Sequence, residues 1–374
     1  MEFKKVKTAI IGCGEISYYY MTNFKKLDII DLVACSDIIY ESAKKRAIEF
    51  NIKAMTNEEI FSSNEIDLVV ITTPPLHHYN ICKEALLSGK SVYCEKTICV
   101  TIEEAQELQN IAKEKNLFFG GAPETFFSAS MQCARIILDS GILGMPVMAQ
   151  AFLSRSYRHH RDSTNDRKSF VYCKHGGILY DMGAYYLTSM VFLLGAIKKV
   201  TGFSTIREPE RIYLNPQNLK YNEKMIVEST NTATGSLIFE NDVMGTFTMT
   251  SEGTLKNHFC IYCTDGYIDL GDPNNFDNII SIYNKNGEES VITSPFAICG
   301  DNLRGYGAAE AMYAFRANKK ARCDNELCIH VLEAALGISQ SSESGRVYDM
   351  TTSAQRPLPF KAGYFENPEL SLYL

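Results

Sequence analysis

The stretch Lys7-Thr8-Ala9-Ile10-Ile11-Gly12-Cys13-Gly14-Glu15-Ile16-Ser17 decides how the rest of this chain is interpreted. An apolar run ends in two glycines spaced one apart, and sequence compatible with a helix follows from Glu15. This order is typical of a buried parallel strand that turns sharply into a helix, whose N-terminus can hold a pyrophosphate. Gly12 would permit the tight turn, and Gly14 would let a phosphate approach the backbone. Ser17 replaces the third glycine of the dinucleotide-binding motif and is still small enough for close packing.

The apolar pattern beyond this turn predicts two domains, and it supports the dinucleotide interpretation over an ordinary glycine turn. Residues 7–121 alternate short apolar runs with helical stretches, which favours a parallel sheet with helices on both faces. The stretch Thr101-Ile102-Glu103-Glu104 predicts a capping box at the start of one of these helices. From residue 200 to about residue 292, strand-like runs are joined by short turns, which favours an antiparallel sheet. We therefore predict an α/β fold with a Rossmann-type parallel sheet over residues 1–123. An α+β domain on an open, mainly antiparallel sheet would follow over residues 124–374.

Composition and charge exclude several classes of function. The 374 residues carry a net charge of −7 with a pI near 5.6, and the Lys and Arg residues are scattered. We therefore expect no nucleic-acid partner. The N-terminus lacks the apolar core of a signal peptide, and no apolar run reaches transmembrane length. From these two observations we expect a cytoplasmic protein that does not bind a membrane.

The cysteines do not predict a metal site. Twelve are present at irregular spacing, which in a reducing compartment is typical of small buried apolar residues. The one C-x-x-C pattern, Cys260-Ile261-Tyr262-Cys263, lies in a strand-like run where positions three apart face opposite sides. No second pair or nearby histidine cluster completes a zinc site, so we expect no metal.

Two stretches at the ends of predicted strands are candidates for contact with a nucleotide. Asp37 ends the second strand, 20 residues after Ser17, where a carboxylate can bind the adenosine ribose and repel a 2′-phosphate. This favours NAD over NADP, although Asp37 could instead cap the following helix. The turn from Thr72 to His78 follows the fourth apolar run, at the sheet edge where ligands bind, or it could be only a proline-stiffened loop.

Two further motifs carry ionisable side chains. Glu95 and Lys96 follow a buried strand, and the lysine could reach over a nicotinamide or form a surface ion pair. Asp181 and Tyr185 are four apart in a predicted helix over residues 176–194, so they would share one face. A carboxylate inside an apolar helix is costly unless it is paired, so a pocket is plausible, and an exposed helical face is the alternative.

The combination resembles the glucose–fructose oxidoreductase, inositol dehydrogenase and rhizopine-catabolism (Gfo/Idh/MocA) family. The motifs G-x-G-x-I-S, T-P-P-x-x-H, E-K and G-G-x-x-x-D-x-G-x-Y occur here in the family's order and spacing. The resemblance covers essentially the whole chain. It implies a Rossmann domain and a second domain whose open antiparallel sheet often serves dimerisation, so we expect a homodimer or homotetramer.

The resemblance also implies site residues. Lys96, Asp181 and Tyr185 match the family's catalytic lysine, aspartate and histidine-or-tyrosine. Substrate contacts often come from the regions of Glu124, Arg158, Tyr172 and His175. The residues implied for the cofactor are Gly12, Cys13, Gly14, Glu15 and Ile16 in the phosphate turn, Asp37 at the ribose, Thr73, Pro74 and His78 along the adenosine–nicotinamide path, and Glu95 with Lys96 beside it.

Two positions depart from the family pattern. Thr97 stands where the family usually has a proline, often after a cis bond, and a cis bond is unlikely before threonine. The orientation of Lys96 is therefore less certain. Tyr185 stands where inositol dehydrogenases carry histidine, whereas tyrosine is found in the glucose–fructose oxidoreductase and dihydrodiol dehydrogenase branches.

The expected function is hydride transfer between NAD and a secondary alcohol of a sugar, polyol or related cyclic alcohol. Tyr185 would act as acid/base, Lys96 would supply a positive charge to it and to the alkoxide, and Asp181 would orient the substrate. Two alternatives remain open. One is a sugar lyase or glycoside hydrolase with a closed redox cycle, and the other is a non-catalytic nucleotide-sensing regulator.

Overall fold

The structure, a computed structural model, describes residues 4–157, 168–293 and 302–361 and divides into two compact units. Within the described residues, the first unit holds residues 4–128, 302–329 and 357–361. The second unit holds residues 129–157, 168–293 and 330–356. The boundary predicted between residues 123 and 124 stays a prediction.

The first unit contains a six-stranded parallel sheet in the order β3-β2-β1-β4-β5-β6, so the predicted Rossmann-type sheet is confirmed. Its strands are β1 Val6–Ile11, β2 Ile30–Ser36, β3 Lys53–Ala54, β4 Leu68–Ile71, β5 Ser91–Cys94 and β6 Phe119–Gly121. Its helices within residues 4–128 are α1 Glu15–Phe24, α2 Tyr40–Phe50, α3 Asn57–Ser62, α4 His78–Leu87 and α5 Ile102–Glu114.

Local sequence explains these elements. Every residue of β4 and β5 is buried, as expected of strands covered on both faces. At the start of α5 the hydroxyl of Thr101 accepts the amide of Glu104 at 3.2 Å, so the predicted cap is confirmed. The returning bond of the predicted capping box differs, since the carboxylate of Glu104 accepts the amide of Val100 at 3.3 Å.

The second unit contains a nine-stranded sheet in the order β16-β15-β14-β13-β7-β12-β11-β8-β17, with β9 and β10 as a separate pair. Among the described strands of this sheet only the β7–β12 pairing is parallel, so the predicted open, mainly antiparallel sheet is confirmed. Its helices begin with α6 Ala129–Ser140, α7 Ile178–Asp181 and α8 Gly183–Leu194. The strands are β7 Pro146–Ser156, β8 Ile197–Thr205, β9 Glu210–Ile212, β10 Lys224–Ile226, β11 Thr232–Phe239, β12 Met244–Thr250, β13 Glu252–Cys263, β14 Gly266–Asp269, β15 Ile280–Asn284, β16 Glu289–Ile292 and β17 Tyr348–Asp349.

One face of this sheet packs against α8, which follows the short helix α7. The continuous helix expected over residues 176–194 is wrong, because α7 ends before Met182 and α8 begins after it. A Cβ on Gly183, the first residue of α8, would lie only 3.1 Å from the ring of Phe247 on β12. The ring of Tyr186 contacts that of Phe259 on β13, with centroids 5.6 Å apart. The missing side chain at Gly183 therefore lets α8 approach the sheet.

After the second sheet, the chain returns to the first unit. Helix α9 Tyr306–Arg316 belongs there, and α10 Asn325–Ser344 begins there. The carbonyl of Cys323 accepts the amide of Gly121 at 3.1 Å, so this returning segment extends the edge of the parallel sheet beyond β6. No helix among the described residues has the length and apolar content that a bilayer span requires.

Candidate functional site

The glycine turn between β1 and α1 lies between the ends of β2 and β4. Gly12 has a φ of +102°, and a Cβ on it would come within 2.8 Å of the carbonyl carbon of Thr72. Its amide donates to the carbonyl of Ser36 at 2.8 Å, and its carbonyl accepts the hydroxyl of Thr72 at 2.6 Å. Only glycine fits these contacts, so Gly12 meets the requirement for a tight turn.

Asp37 is tied to the same turn. One carboxylate oxygen accepts the amide of Cys13 at 2.7 Å, and the other accepts the amide of Ile39 at 2.8 Å. Helix α2 has no side-chain cap, so Asp37 does not cap its first turn. Each carboxylate oxygen can accept a further bond, which leaves Asp37 able to bind a ribose hydroxyl. Its contact with the cofactor stays a prediction.

The residues around this turn fit a dinucleotide. Gly14 is the N-cap residue of α1, and no side chain of that residue caps the helix. Nothing lies within 4 Å of the position that a Cβ on Gly14 would take, so a phosphate can approach the backbone there. Among the described residues, the buried hydroxyl of Thr73 has no hydrogen-bond partner. The hydroxyl of Ser17 donates to the carbonyl of Gly14 at 2.6 Å, and Ser17 is buried, which agrees with its predicted packing role.

His78 connects the two motifs that follow β4 and β5. Its Nε2 lies 2.7 Å from the carbonyl oxygen of Thr73, and its Nδ1 lies 2.7 Å from that of Thr97. Burial lowers the pKa of His78, and the two carbonyl contacts oppose this by raising it. The ring is fully buried and holds two loops together, while its contact with a cofactor stays a prediction.

The peptide bond between Lys96 and Thr97 is cis, so the expectation of a trans bond at this position is wrong. Thr97 therefore has the bond geometry that the family's proline often has. Its side chain is buried, and its carbonyl is the one that contacts His78.

Glu95 and Lys96 lie just beyond the end of β5. Glu95 is buried, and its carboxylate accepts the hydroxyl of Tyr20 at 2.8 Å and the backbone amide of Lys96 at 3.1 Å. Lys96 itself is half-buried. These contacts fix the backbone from which the Lys96 side chain extends. Because Glu95 is buried and hydrogen-bonded, the alternative interpretation of Glu95 and Lys96 as an ion pair on the surface does not fit this motif.

Glu124 is a second buried carboxyl group in the first unit. It is 1% exposed, and its carboxylate accepts the amide of Gly305 at 2.6 Å. Burial, and then the charge of Glu95, raises the pKa of Glu124 to about 7. The group therefore holds a proton at a pH where an ordinary glutamate is ionised. Its contact with substrate stays a prediction.

In the second unit Asp181 and Tyr185 lie on consecutive helices, and both are buried. The hydroxyl of Tyr157, just past the end of β7, donates to the Asp181 carboxylate at 2.6 Å. The hydroxyl of Tyr172 in turn donates to the carbonyl of Tyr157 at 2.5 Å. Asp181 is thus a buried, hydrogen-bonded carboxylate rather than part of an exposed face. Its grouping with Tyr185 and the first unit's Lys96 stays a prediction.

The segment before Asp181 is shaped by close backbone contacts. Cβ atoms on Gly176 and Gly177 would overlap the carbonyls of Phe170 and Thr230, which explains the glycine pair of the motif. His175 precedes the pair with a φ of +64° and is half-buried. Tyr172 lines a cavity of about 270 Å³ with Arg211, Ile212 and Met225. Substrate contact for His175 and Tyr172 stays a prediction, and Arg158 lies outside the described residues.

Sequence reasoning missed two residues beside these sites. Tyr157 was not predicted because its contact with Asp181 spans 24 residues and depends on where β7 ends. Arg46 was also missed. Its guanidinium lies 3.3 Å from the carbonyl of Gly14 and is paired with Glu49 at 2.6 Å. The charged pattern of α2 was its only signal in the sequence.

The raised pKa of Glu124 predicts a pH dependence of stability. The folded protein holds this proton up to about pH 7, whereas the unfolded chain releases it near pH 4.5. The free energy of unfolding should therefore fall by about 3 kcal/mol between these pH values, relative to Glu124→Gln, in which this proton is absent. Urea denaturation of both proteins from pH 5 to pH 8 measures the difference. Parallel pH curves for the two proteins would show that Glu124 does not titrate in this range.

Comparison with known proteins agrees with this architecture. Residues 6–120 match the GFO/IDH/MocA model described as an oxidoreductase family with an NAD-binding Rossmann fold, and residues 131–269 match the GFO/IDH/MocA C-terminal domain. An uncharacterized oxidoreductase of Schizosaccharomyces pombe is 30% identical over 201 residues, which are 52% of this chain and 53% of that protein. The NAD(+)-dependent scyllo-inositol 2-dehydrogenase of Bacillus subtilis is 27% identical over 207 residues, which are 54% of this chain and 58% of that enzyme. The chain thus spans about half the length of these curated relatives.

A solved structure shares the fold across nearly the whole chain. Levoglucosan dehydrogenase in complex with NADH and levoglucosan superposes with a TM-score of 0.80 at 16% identity, covering 93% of this chain and 100% of that one. The two family models together match about two thirds of the sequence, and they fall in the first and second units respectively. The chain belongs to the GFO/IDH/MocA oxidoreductase family.

Proposed function

We propose that this protein is an NAD-dependent oxidoreductase acting on a secondary alcohol of a sugar, a polyol or a related cyclic alcohol. The observation that carries the proposal is the Asp181 carboxylate, buried on a largely apolar helical segment and held by the Tyr157 hydroxyl at 2.6 Å. Burial of a charge is costly unless the charge is hydrogen-bonded, and a carboxylate that is held in one orientation suits the binding of a polyhydroxylated substrate. The inositol and levoglucosan dehydrogenases act on substrates of this kind.

The first unit would hold the cofactor. Its residues would be those of the turn from Gly12 to Ile16, with Asp37, Thr73, Pro74, His78 and Glu95. When bound, NAD supplies the ring carbon that accepts or returns a hydride. NAD is preferred in this proposal because the carboxylate of Asp37 repels a 2′-phosphate, and the charge of nearby Arg46 is already paired with Glu49.

The chemistry of the chain's own residues follows from their types. Tyr185 would take the hydroxyl proton of the alcohol or return it. A tyrosine is a poor base near neutral pH, so it needs a nearby cation, and Lys96 would supply one. Lys96 would also stabilise the alkoxide that forms. Asp181 would accept a substrate hydroxyl and hold the ring in place, while Glu124, Arg158, Tyr172 and His175 are further candidates for substrate contact.

The second unit would also assemble the protein as a homodimer or homotetramer. On the sheet face that does not pack against α8, Met148, Phe203 and Met244 are 38%, 73% and 55% exposed. The strand registers place these three side chains on the same side of the sheet. Exposed apolar groups on one face are typical of an association surface.

Incubation of the purified protein with NAD and a panel of sugars, polyols and cyclic alcohols tests the proposed function. We expect accumulation of NADH, read by absorbance, with at least one substrate, and a lower kcat/KM with NADP. Product formed without net NADH would instead support a closed redox cycle. Tight binding of NAD with no turnover across the panel would support a regulator.

Tyr157→Phe tests the role given to Asp181. Loss of a hydrogen bond to a charged group costs about 1.5–3 kcal/mol, so we expect kcat/KM for the alcohol to fall about 10- to 100-fold. The KM for NAD should change little, because Tyr157 lies in the second unit. Steady-state kinetics with the alcohol found in the panel measures both constants.

Tyr180→Phe is the matched control for this variant. Tyr180 precedes Asp181 in α7, but its hydroxyl lies 3.1 Å from the Ser339 hydroxyl rather than near Asp181. We expect this variant to keep the kcat/KM of the unchanged protein. Equal losses in both variants would assign the effect to general loosening of α7, and no loss in Tyr157→Phe would remove the positioning role.

A further inference from the structure

Outside the candidate active site, three side chains of different chemistry meet on the second sheet. His258 and Cys260 are two apart on β13, so their side chains share a face. Asp269 of β14 is directly opposite Cys260 in the strand register. The three ligand atoms that these side chains offer all lie within 4.8 Å of one another. Within the described part of the chain, this is the one cluster of at least three His, Cys, Asp or Glu side chains close enough to share a metal ion.

The spacing suits one metal ion. The Nδ1 atom of His258 lies 3.8 Å from the sulfur of Cys260. Nitrogen and sulfur ligands at about 2.0 Å and about 2.3 Å from a tetrahedral ion lie about 3.5 Å apart, so little movement is needed. The hydroxyl of Tyr262 lies 3.5 Å from the other ring nitrogen of His258, where an outer partner commonly orients a metal-binding histidine.

The ligand types select the class of ion. Imidazole, thiolate and carboxylate together favour zinc and similar borderline ions, whereas magnesium and calcium take all-oxygen sites. A bound divalent ion would displace the proton of the Cys260 thiol to solvent, and the thiolate and the Asp269 carboxylate would then balance the charge of the ion.

We propose that His258, Cys260 and Asp269 bind one divalent cation of the zinc class, with water as the fourth ligand. The site would link β13 and β14 on the sheet face that carries Met148 and Met244. Cys263 is not part of the site. It lies three residues after Cys260 on β13, opposite Gly266 of β14, so its side chain faces the other side of the sheet. The proposal does not depend on the proposed enzymatic function.

Cobalt(II) titration of the chelator-treated full chain tests this site. We expect thiolate-to-cobalt charge-transfer absorption that saturates at one ion per chain, disappears on addition of zinc and persists on addition of magnesium. Cys260→Ser should abolish the absorption, and the matched variant Cys263→Ser should keep it. Asp269→Asn, which preserves shape, should keep the absorption but weaken cobalt binding at least about tenfold.

Three outcomes would overturn the proposal. The first is no charge-transfer absorption in the unchanged protein at excess cobalt. The second is equal absorption in a folded Cys260→Ser variant, which would place the ion on another cysteine. The third is unchanged cobalt affinity in Asp269→Asn, with far-ultraviolet circular dichroism confirming that the variants are folded.

Discussion

The close approach of the first glycine turn to the end of β4 is the constraint on which the first unit depends. A side chain at Gly12 would come within 2.8 Å of the Thr72 backbone, at a φ that favours glycine. The same turn donates amides to Ser36 and Asp37, so it joins the ends of β1, β2 and β4. These strands surround the point where the sheet order reverses, which is where open α/β sheets bind ligands.

Buried polar groups organise both units beyond this turn. In the first unit, His78 contacts the carbonyls of two loops, and Glu95 is held by Tyr20. In the second unit, Tyr157 holds Asp181. Most of these contacts join residues at least 19 apart in sequence, and each leaves a candidate site residue on a backbone that cannot easily shift. Rigid support of this kind is what a site for hydride transfer requires.

The sequence predicts features that depend on local patterns and misses those that depend on strand register. The alternation of strands and helices, the glycine turn and the Thr101 cap follow from neighbouring residues, and the structure confirms them. The contact of Tyr157 with Asp181 and the cluster around Cys260 depend on which strands lie side by side, which periodicity does not specify. The break at Met182 lies inside an unbroken helical pattern of side chains, so periodicity could not reveal it.

The central claim is that Lys96 works with Asp181 and Tyr185 in alcohol oxidation. The most direct test is the turnover of Lys96→Ala on the alcohol that gives NADH, with its NAD binding measured by titration. The account predicts a fall in kcat of at least about 100-fold, as expected when a group that assists proton transfer is removed. It also predicts that the variant still binds NAD through the glycine turn. Turnover equal to that of the unchanged protein would contradict the assignment.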